Sequence, residues 1–412
     1  MAAGAGRRFD GWTIALFAAA AVLALVCLRT GLVDMATRSN PALALSIDGD
    51  SASALDRTAA LLIADPRPAS AALAADRARG ALASAPVLAR PFMVAALAAD
   101  RQGETRRATE LMQTAVTRDP RSVPARFWLL RRQVIAGNFA AALGEIDALI
   151  RLRPTQVRAL AALAVPMLID PAGRGAVVDR MAANPGWRGV FLDLAQRDSS
   201  DRASFIAFMR ALAATPGVEI DDTTLGTVLV GMTGRGEYVQ AHALYERLRP
   251  QRSGERGNQV YDGDFQRRPG PAPFNWSFAS TASAIAQIEP QPRGGPALVA
   301  RTFGREPAVV ATQMLALPAG GWRLSARMGS DDGPAADRFR WRLSCLPADR
   351  EIARLGNPEE LREPRTVSTV FAVPPGCPAQ TLSLLAEAGD GPDASLRTLA
   401  VDIRRTVERP VQ

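Results

Sequence analysis

Gly103–Pro120 reads GETRRATELMQTAVTRDP, and Gly137–Pro154 reads GNFAAALGEIDALIRLRP. The two stretches share one order: Gly, two turn or helix-start residues, Ala at +5, an apolar residue at +9, an apolar residue or Ala at +12, and Pro at +17. Pro86, Pro120 and Pro154 stand 34 residues apart, as do Gly103 and Gly137, and Ala108 and Ala142. The spacing has a physical cause. Gly ends the first helix of a hairpin, where a left-handed residue is needed. A small Ala lets two helices approach. The +9 and +12 positions share a helix face and bury against the next helix. Pro closes one unit and opens the following one. A period of this length means helical units that cannot bury their faces singly and must stack.

The period, with Gly, Ala and Pro in those places, resembles tetratricopeptide repeats. The best copy runs from Val123 to Pro154, with Gly137, Asn138 and Phe139 at the turn. Its Trp128 and Leu129 fall in the region of the motif's Trp and Leu, but out of register. A further fragment, GEYVQAHALYERLRP from Gly236, carries Ala241 in the tight position and Tyr245 four residues on. Between Pro154 and Gly236 the period lapses, though Arg202–Ala214 still reads as amphipathic helix. The resemblance implies a superhelix whose concave groove holds a peptide or protein partner; a helical spacer is the plainer alternative.

Upstream, Gly11–Leu28 is GWTIALFAAAAVLALVCL, without a charge and near the minimum for a bilayer-spanning helix. Arg7 and Arg8 precede it and Arg29 follows. Ala42-Leu43-Ala44 lies too far downstream to serve as a signal-peptidase site, and Val26 before Cys27 fits a lipoprotein poorly. The expectation is an uncleaved signal anchor: residues 1–40 as cytoplasmic tail and single inner-membrane span, with the bulk of the chain in the periplasm of a Gram-negative bacterium.

After Pro250 the composition changes. QRSGERGNQ reads as a polar linker, and short alternating runs separated by Gly and Pro follow. The expected strands are Ala297–Phe303, Ala308–Leu315, Gly321–Met328, Phe339–Cys345, Thr366–Val373, Gln380–Leu385 and Thr398–Arg404. Cys345 and Cys377 fall in this part. In an oxidising compartment they would pair, closing a loop of about 30 residues for roughly 3–4 kcal/mol; two unrelated buried thiols is the alternative. No Cys-x-x-Cys spacing occurs, so zinc and thioredoxin-like chemistry have no support.

The opening Tyr261-Asp262-Gly263-Asp264-Phe265, then Pro273-Phe274-Asn275-Trp276-Ser277-Phe278, together with Leu399-Ala400-Val401-Asp402-Ile403 near the end, resembles jelly rolls of the carbohydrate-binding-module or galactose-binding-like kind. That resemblance implies two sites. A structural calcium ion could tie first strand to last through Asp262, Asp264 and Asp402, which otherwise are turn residues. A sugar could stack on exposed rings, with Trp276, Tyr261 and Phe274 the candidates. Trp322 and Trp341 sit in alternating strands and read as core.

The fold class is thus α+β and multidomain: an anchor over 1–40, an all-α tetratricopeptide-like solenoid over 41–252 packed through Gly103, Ala108, Pro120, Gly137, Ala142 and Pro154, and an all-β jelly roll over 253–412. Composition bounds the function. In 412 residues the hydrophobic fraction is 48%, the charged fraction 22% and the aromatic fraction 6%, which excludes a disordered chain. One long apolar run excludes a multi-span membrane protein. The net charge of +8 comes without a single lysine, and 77 alanines accompany it; this is the amino-acid usage of a GC-rich genome, so no nucleic-acid partner is expected. No Gly-x-Ser-x-Gly elbow or P-loop occurs, His242 is the lone histidine, and Asp331-Asp332 and Glu359-Glu360 read as solvated loop acids. The chain reads as a non-enzyme without cofactor, apart from calcium. It is expected to be a scaffold in envelope polysaccharide assembly or export, with a protein in the helical groove and glycan on the sandwich. A protein-only adaptor in secretion or envelope-complex assembly is the alternative, favoured if no aromatic platform is exposed.

Overall fold

A computed structural model describes residues 11–249, 257–291, 295–303, 306–330, 338–356, 363–389 and 393–406. The basic pair Arg7-Arg8, most of the 251–259 linker and the acid pairs 331–332 and 359–360 lie outside the described residues. Packing divides the chain into two compact units, up to Leu160 and from Ala161 onward. The last described helix ends at Leu248 and the first described strand begins at Ser277. The compact unit simply begins earlier and includes the last helices together with both sheets.

In the first unit α1 runs unbroken over Gly11–Ser39, α2 over Pro41–Ile47, α3 over Ala52–Ala64 and α4 over Pro68–Ser84. Next come α5 (Arg90–Arg101), α6 (Thr105–Arg118), α7 (Val123–Ile135) and α8 (Phe139–Leu152). Among the described residues α1 is the one helix long and apolar enough to cross a membrane; a signal sequence passes the same test. Pro154 opens a short 3₁₀ turn, and α9 (Val157–Ala162) follows.

The repeat spacing is realised as hairpins. At the α5–α6 turn, Gly103 has φ +79°; Glu104 N donates to Ala99 O at 2.9 Å and Gly103 N to Asp100 O at 3.0 Å. At the α7–α8 turn, Gly137 has φ +72°, and the same two bonds recur as Asn138 N to Gln133 O (2.8 Å) and Gly137 N to Val134 O (3.1 Å). These are the paired carbonyl-satisfying bonds of a Schellman cap, which needs a residue tolerant of positive φ. Ala108 and Ala142 are fully buried, and each donates its N–H to the residue after the glycine, closing the first turn of the next helix. Met112 and Ala115 in α6, and Ile146 and Leu149 in α8, fill the interior face. The displaced Trp128 is buried, and its indole N–H donates to Asp100 Oδ2 at 3.2 Å.

In the second unit α10 (Pro171–Ala182), α11 (Arg188–Asp198) and α12 (Arg202–Ala214) replace the lapsed period. The hairpin of α13 (Asp222–Thr233) and α14 (Tyr238–Leu248) restores it: Gly236 has φ +78°, and Glu237 N donates to Met232 O at 3.1 Å. Asp170, Asp201 and Asp221 cap α10, α12 and α13 with their carboxylates, satisfying otherwise orphan N–H groups.

Among the described residues ten strands follow: β1 (Ser277–Phe278), β2 (Ala284–Glu289), β3 (Ala297–Thr302), β4 (Ala308–Leu315), β5 (Gly320–Gly329), β6 (Phe339–Leu346), β7 (Arg350–Leu355), β8 (Arg365–Val373), β9 (Ala379–Ala386) and β10 (Ala394–Arg405). They form two five-stranded antiparallel sheets in the orders β1-β4-β9-β6-β7 and β2-β3-β10-β5-β8. One core lies between them, with Trp276, Leu298, Leu324, Trp341, Leu384 and Ile403 among its members. In β5, Trp322, Leu324, Ala326 and Met328 point inward while Arg323 and Arg327 point out. In β10 a bulge between Thr398 and Ala400 switches the inward set from Leu396 and Thr398 to Val401 and Ile403, because the side-chain period in a strand is two. All seven strands expected from sequence are present. The three missed ones, β1, β2 and β7, are sheet edges.

Candidate functional site

Of the rings expected to form a sugar platform, Trp276 and Phe274 are buried and Tyr261 is half-buried. Trp276 is 2% exposed; its indole N–H donates to the Asp262 carbonyl at 3.1 Å, and its ring packs edge-on to Trp341 with centroids 5.7 Å apart. Phe274, also 2% exposed, meets His242 of α14 at 5.1 Å and Tyr245 at 5.5 Å. Tyr261 is half-buried and lies edge-on to Tyr245 at 5.7 Å. Thus Tyr261 and Phe274 join α14 to the first segment of the sandwich, while Trp276 belongs to its core. Burial of large rings stabilises by their apolar area, and a ring spent this way cannot stack on a sugar. Trp322 and Trp341 are buried as the alternating pattern indicated. His242 is a packing ring: burial lowers its pKa, against the charge of Glu246.

The three candidate calcium ligands do not form one cluster: Asp264 and Asp402 line the same outward recess, and Asp262 is turned into the interior. Asp262, in a left-handed turn at φ +50°, is fully buried, and its carboxylate accepts from Arg267 N at 3.1 and 3.2 Å. Burial pushes its pKa up to about 7, helped by the charge of Asp264 and opposed by backbone N–H groups of Arg267 and Gln266. Asp402 points outward and pairs with Arg404 at 2.7 Å. Among the described residues no group of three or more His, Cys, Asp or Glu is placed to hold a metal ion. Asn258 ties the first segment to the last strand. Its amide donates to Val401 O at 3.1 Å and its carbonyl accepts from Ile403 N at 3.0 Å and Val260 N at 2.9 Å. With Val401 N donating to Gly263 O at 2.7 Å and Gln259 N to Ile403 O at 2.9 Å, the first segment runs alongside β10. The sequence signal for this was Gly257-Asn258, read only as the end of a linker.

Cys345, near the end of β6, and Cys377, before β9, form a disulfide with Cα atoms 5.6 Å apart. Both are buried, and Gln380 Nε2 donates to Leu317 O, Cys377 O and the Cys377 sulfur beside it.

Among the described residues of this unit, three openings stand out. A recess of about 450 Å³ lies between α12 and α14, floored by Met209, Met232 and Leu244 and flanked by Arg210, Glu246 and Arg247. On the other flank of α14 a groove of about 700 Å³ runs between Val239, His242 and Glu246 and the prolines Pro318, Pro374 and Pro378. Ala243 and Glu246 line both. A third recess, about 500 Å³, carries polar side chains: Ser325 and Arg327 of β5, Thr366 of β8, and Asp402 and Arg404 of β10 face out beside Asp264. Sequence reasoning singled out the two aspartates there, but not Arg327 or Arg404, because an outward Arg in an alternating strand carries no further signal.

No family profile matches the chain, and no curated protein matches it. Among solved structures, the C-terminal part of a tetratricopeptide-repeat-containing protein from Cytophaga hutchinsonii is similar over 54% of this chain and 96% of its own, at 16% identity and a TM-score of 0.28. A carbohydrate-binding module of the Cellvibrio mixtus lichenase 5A, solved with cellotriose, is similar over 32% and 92%, at 11% identity and 0.22. A xylan-binding domain of Paenibacillus barcinonensis Xyn10C is similar over 37% and 97%, at 12% identity and 0.27. By its own period, caps and sheet order, the chain combines tetratricopeptide-like hairpins with a two-sheet jelly roll similar to carbohydrate-binding modules.

Proposed function

We propose that this protein is a non-catalytic scaffold of the bacterial cell envelope, anchored in the inner membrane by α1 with its bulk in the periplasm, and that it holds a protein partner on its helical surface. The recess between α12 and α14 carries the reading. Its methionine floor is adaptable and apolar, its rim is charged, and an anchor side chain from a partner helix or strand fits such a place. A photo-crosslinking residue at Gln240 or Ala213, in cells, is expected to give one defined adduct that disappears in Ala243→Arg. The same adduct from Arg350, on the distant edge strand β7, or none from the recess, rejects the proposal.

A glycan-directed role in polysaccharide assembly or export is the second reading, and the recess on β5, β8 and β10 favours it. Paired guanidinium and carboxylate groups with Thr366 and Ser325 can exchange several hydrogen bonds with sugar hydroxyls. Calorimetric titration of the detergent-solubilised full chain with the source organism's envelope polysaccharide tests it. Saturable heat abolished by Arg327→Ala supports it; heat unchanged by that substitution, or none, removes it and leaves the protein-only adaptor.

A further inference from the structure

The apolar run of α1 ends at Leu28, but the helix does not. Val33, Ala36 and Thr37 are buried, and Val33 and Ala36 share a small core with Ala44 of α2 and Ala54 of α3. Arg29, the first charge after the run, sends its guanidinium to the Ile47 carbonyl at 3.2 Å and lies 3.4 Å from the Asp48 carboxylate. So α2 folds back antiparallel along α1 and ends at the level of Arg29. No linker separates the apolar run from the folded helical unit.

This return has a chemical peculiarity. Pro41–Ile47, PALALSI, contains no charge, and Leu43 is 51% exposed and Ile47 36%. Leu32, one turn past Arg29 on α1, is 44% exposed. At about 1.5 Å per helical residue, Leu32 and Leu43 lie roughly 5–6 Å beyond Arg29 along the helix axis, and Ile47 lies level with it. The headgroup layer on each side of a bilayer is about 5–8 Å thick. We propose that α2 is an interfacial helix: Ile47, Leu43 and Leu32 sit in the headgroup layer of the bilayer that α1 enters, and the first helical hairpin is seated on the membrane surface. The proposal rests on the reading of α1 as a span. Apolar side chains are favoured at that boundary when the backbone is already hydrogen-bonded, and the Arg29 guanidinium at the same depth can reach lipid phosphates by snorkelling.

The test uses the full chain in lipid vesicles, with Cys27→Ala as background and the disulfide kept oxidised. Single cysteines from Ala20→Cys, Leu43→Cys, Ile47→Cys and Ser39→Cys carry an environment-sensitive fluorophore; exposed Ser39 lies at the far end of α1, about 15 Å beyond Arg29 and outside the headgroup layer. Spin labels attached to lipid at shallow or deep positions quench the fluorophore. Expected is loss of fluorescence at 43 and 47 with the shallow quencher, at 20 with the deep quencher, and at 39 with neither. Quenching at 20 while 43 and 47 behave like 39 overturns the interfacial helix and leaves the anchor intact. No lipid quenching at 20 overturns the anchor, and the interfacial helix with it.

Discussion

Truncating Asn258 to alanine removes three hydrogen bonds at once. Val401 O loses a donor, and Ile403 N and Val260 N lose their acceptor. Each is a net contribution of about 1 kcal/mol to stability, so the loss comes to about 3 kcal/mol. Ile403 and Val260 are buried, which keeps water from replacing the bonds fully; Asn258 itself is half-buried, which limits the loss from above. For a unit of this size 1 kcal/mol moves a melting midpoint by about 2–4 °C, so the second unit should melt about 6–12 °C lower. Calorimetric melting of the detergent-solubilised full chain measures it. The same series separates the amide clasp from a calcium clasp. With the amide clasp, Asp402→Asn leaves the midpoint within about 1 °C, since its partner Arg404 is exposed and such pairs are weak, and millimolar calcium changes nothing. An Asn258→Ala midpoint within about 2 °C of the parent, or a calcium-dependent rise abolished by Asp402→Asn, refutes the reasoning.

Asp262 predicts a pH dependence. Its folded pKa, about 7, lies above its ordinary value, so the folded state holds the proton more tightly. Its stabilising effect is present below about pH 4 and is lost as pH rises towards 7. Asp262→Asn should raise the melting midpoint at pH 8 and change it little at pH 4, and parallel profiles for parent and variant would count against this. Gly137→Ala should destabilise by about 1–2 kcal/mol from its left-handed backbone alone, because an added Cβ meets nothing within 4 Å. Gly144→Ala, inside α8 with equally open space, should stabilise by about 0.5–1 kcal/mol; equal effects in chemical denaturation contradict the capping account. The 32-residue separation of Cys345 and Cys377 makes their bond worth about 3–4 kcal/mol in chain entropy. Non-reducing peptide mapping should recover the linked pair, and reductant should lower the second unit's midpoint by about 6–16 °C.

The repeat was legible because its constraints are local. A positive-φ cap admits Gly almost alone, and two closely packed helices admit Ala, so Gly103, Ala108, Gly137 and Ala142 announce their positions. Inner strands were legible for a related reason: β5 and β6 bury alternate residues between neighbours on both sides. Edge strands such as Arg350–Leu355, REIARL, bury little and leave no clear alternation. Trp276 and Phe274 were legible as aromatic, but not as buried. A ring's exposure depends on what the chain brings over it from far away, here Tyr245 and Trp341.

The amino-acid sequence alone therefore determined the apolar segment, the helical period, the place where helix gives way to strand, and the two cysteines of the sandwich. Each follows from periodicity, composition or the spacing of a few residue types. Tertiary structure decided that α10–α14 belong to one compact unit with the sandwich, that Asn258 joins its first segment to β10, and that Asp262 is buried while Asp402 is half-buried and paired with Arg404. These depend on contacts between residues far apart in the chain, as between Asn258 and Ile403, and neighbouring residues carry no trace of a partner more than a hundred positions away.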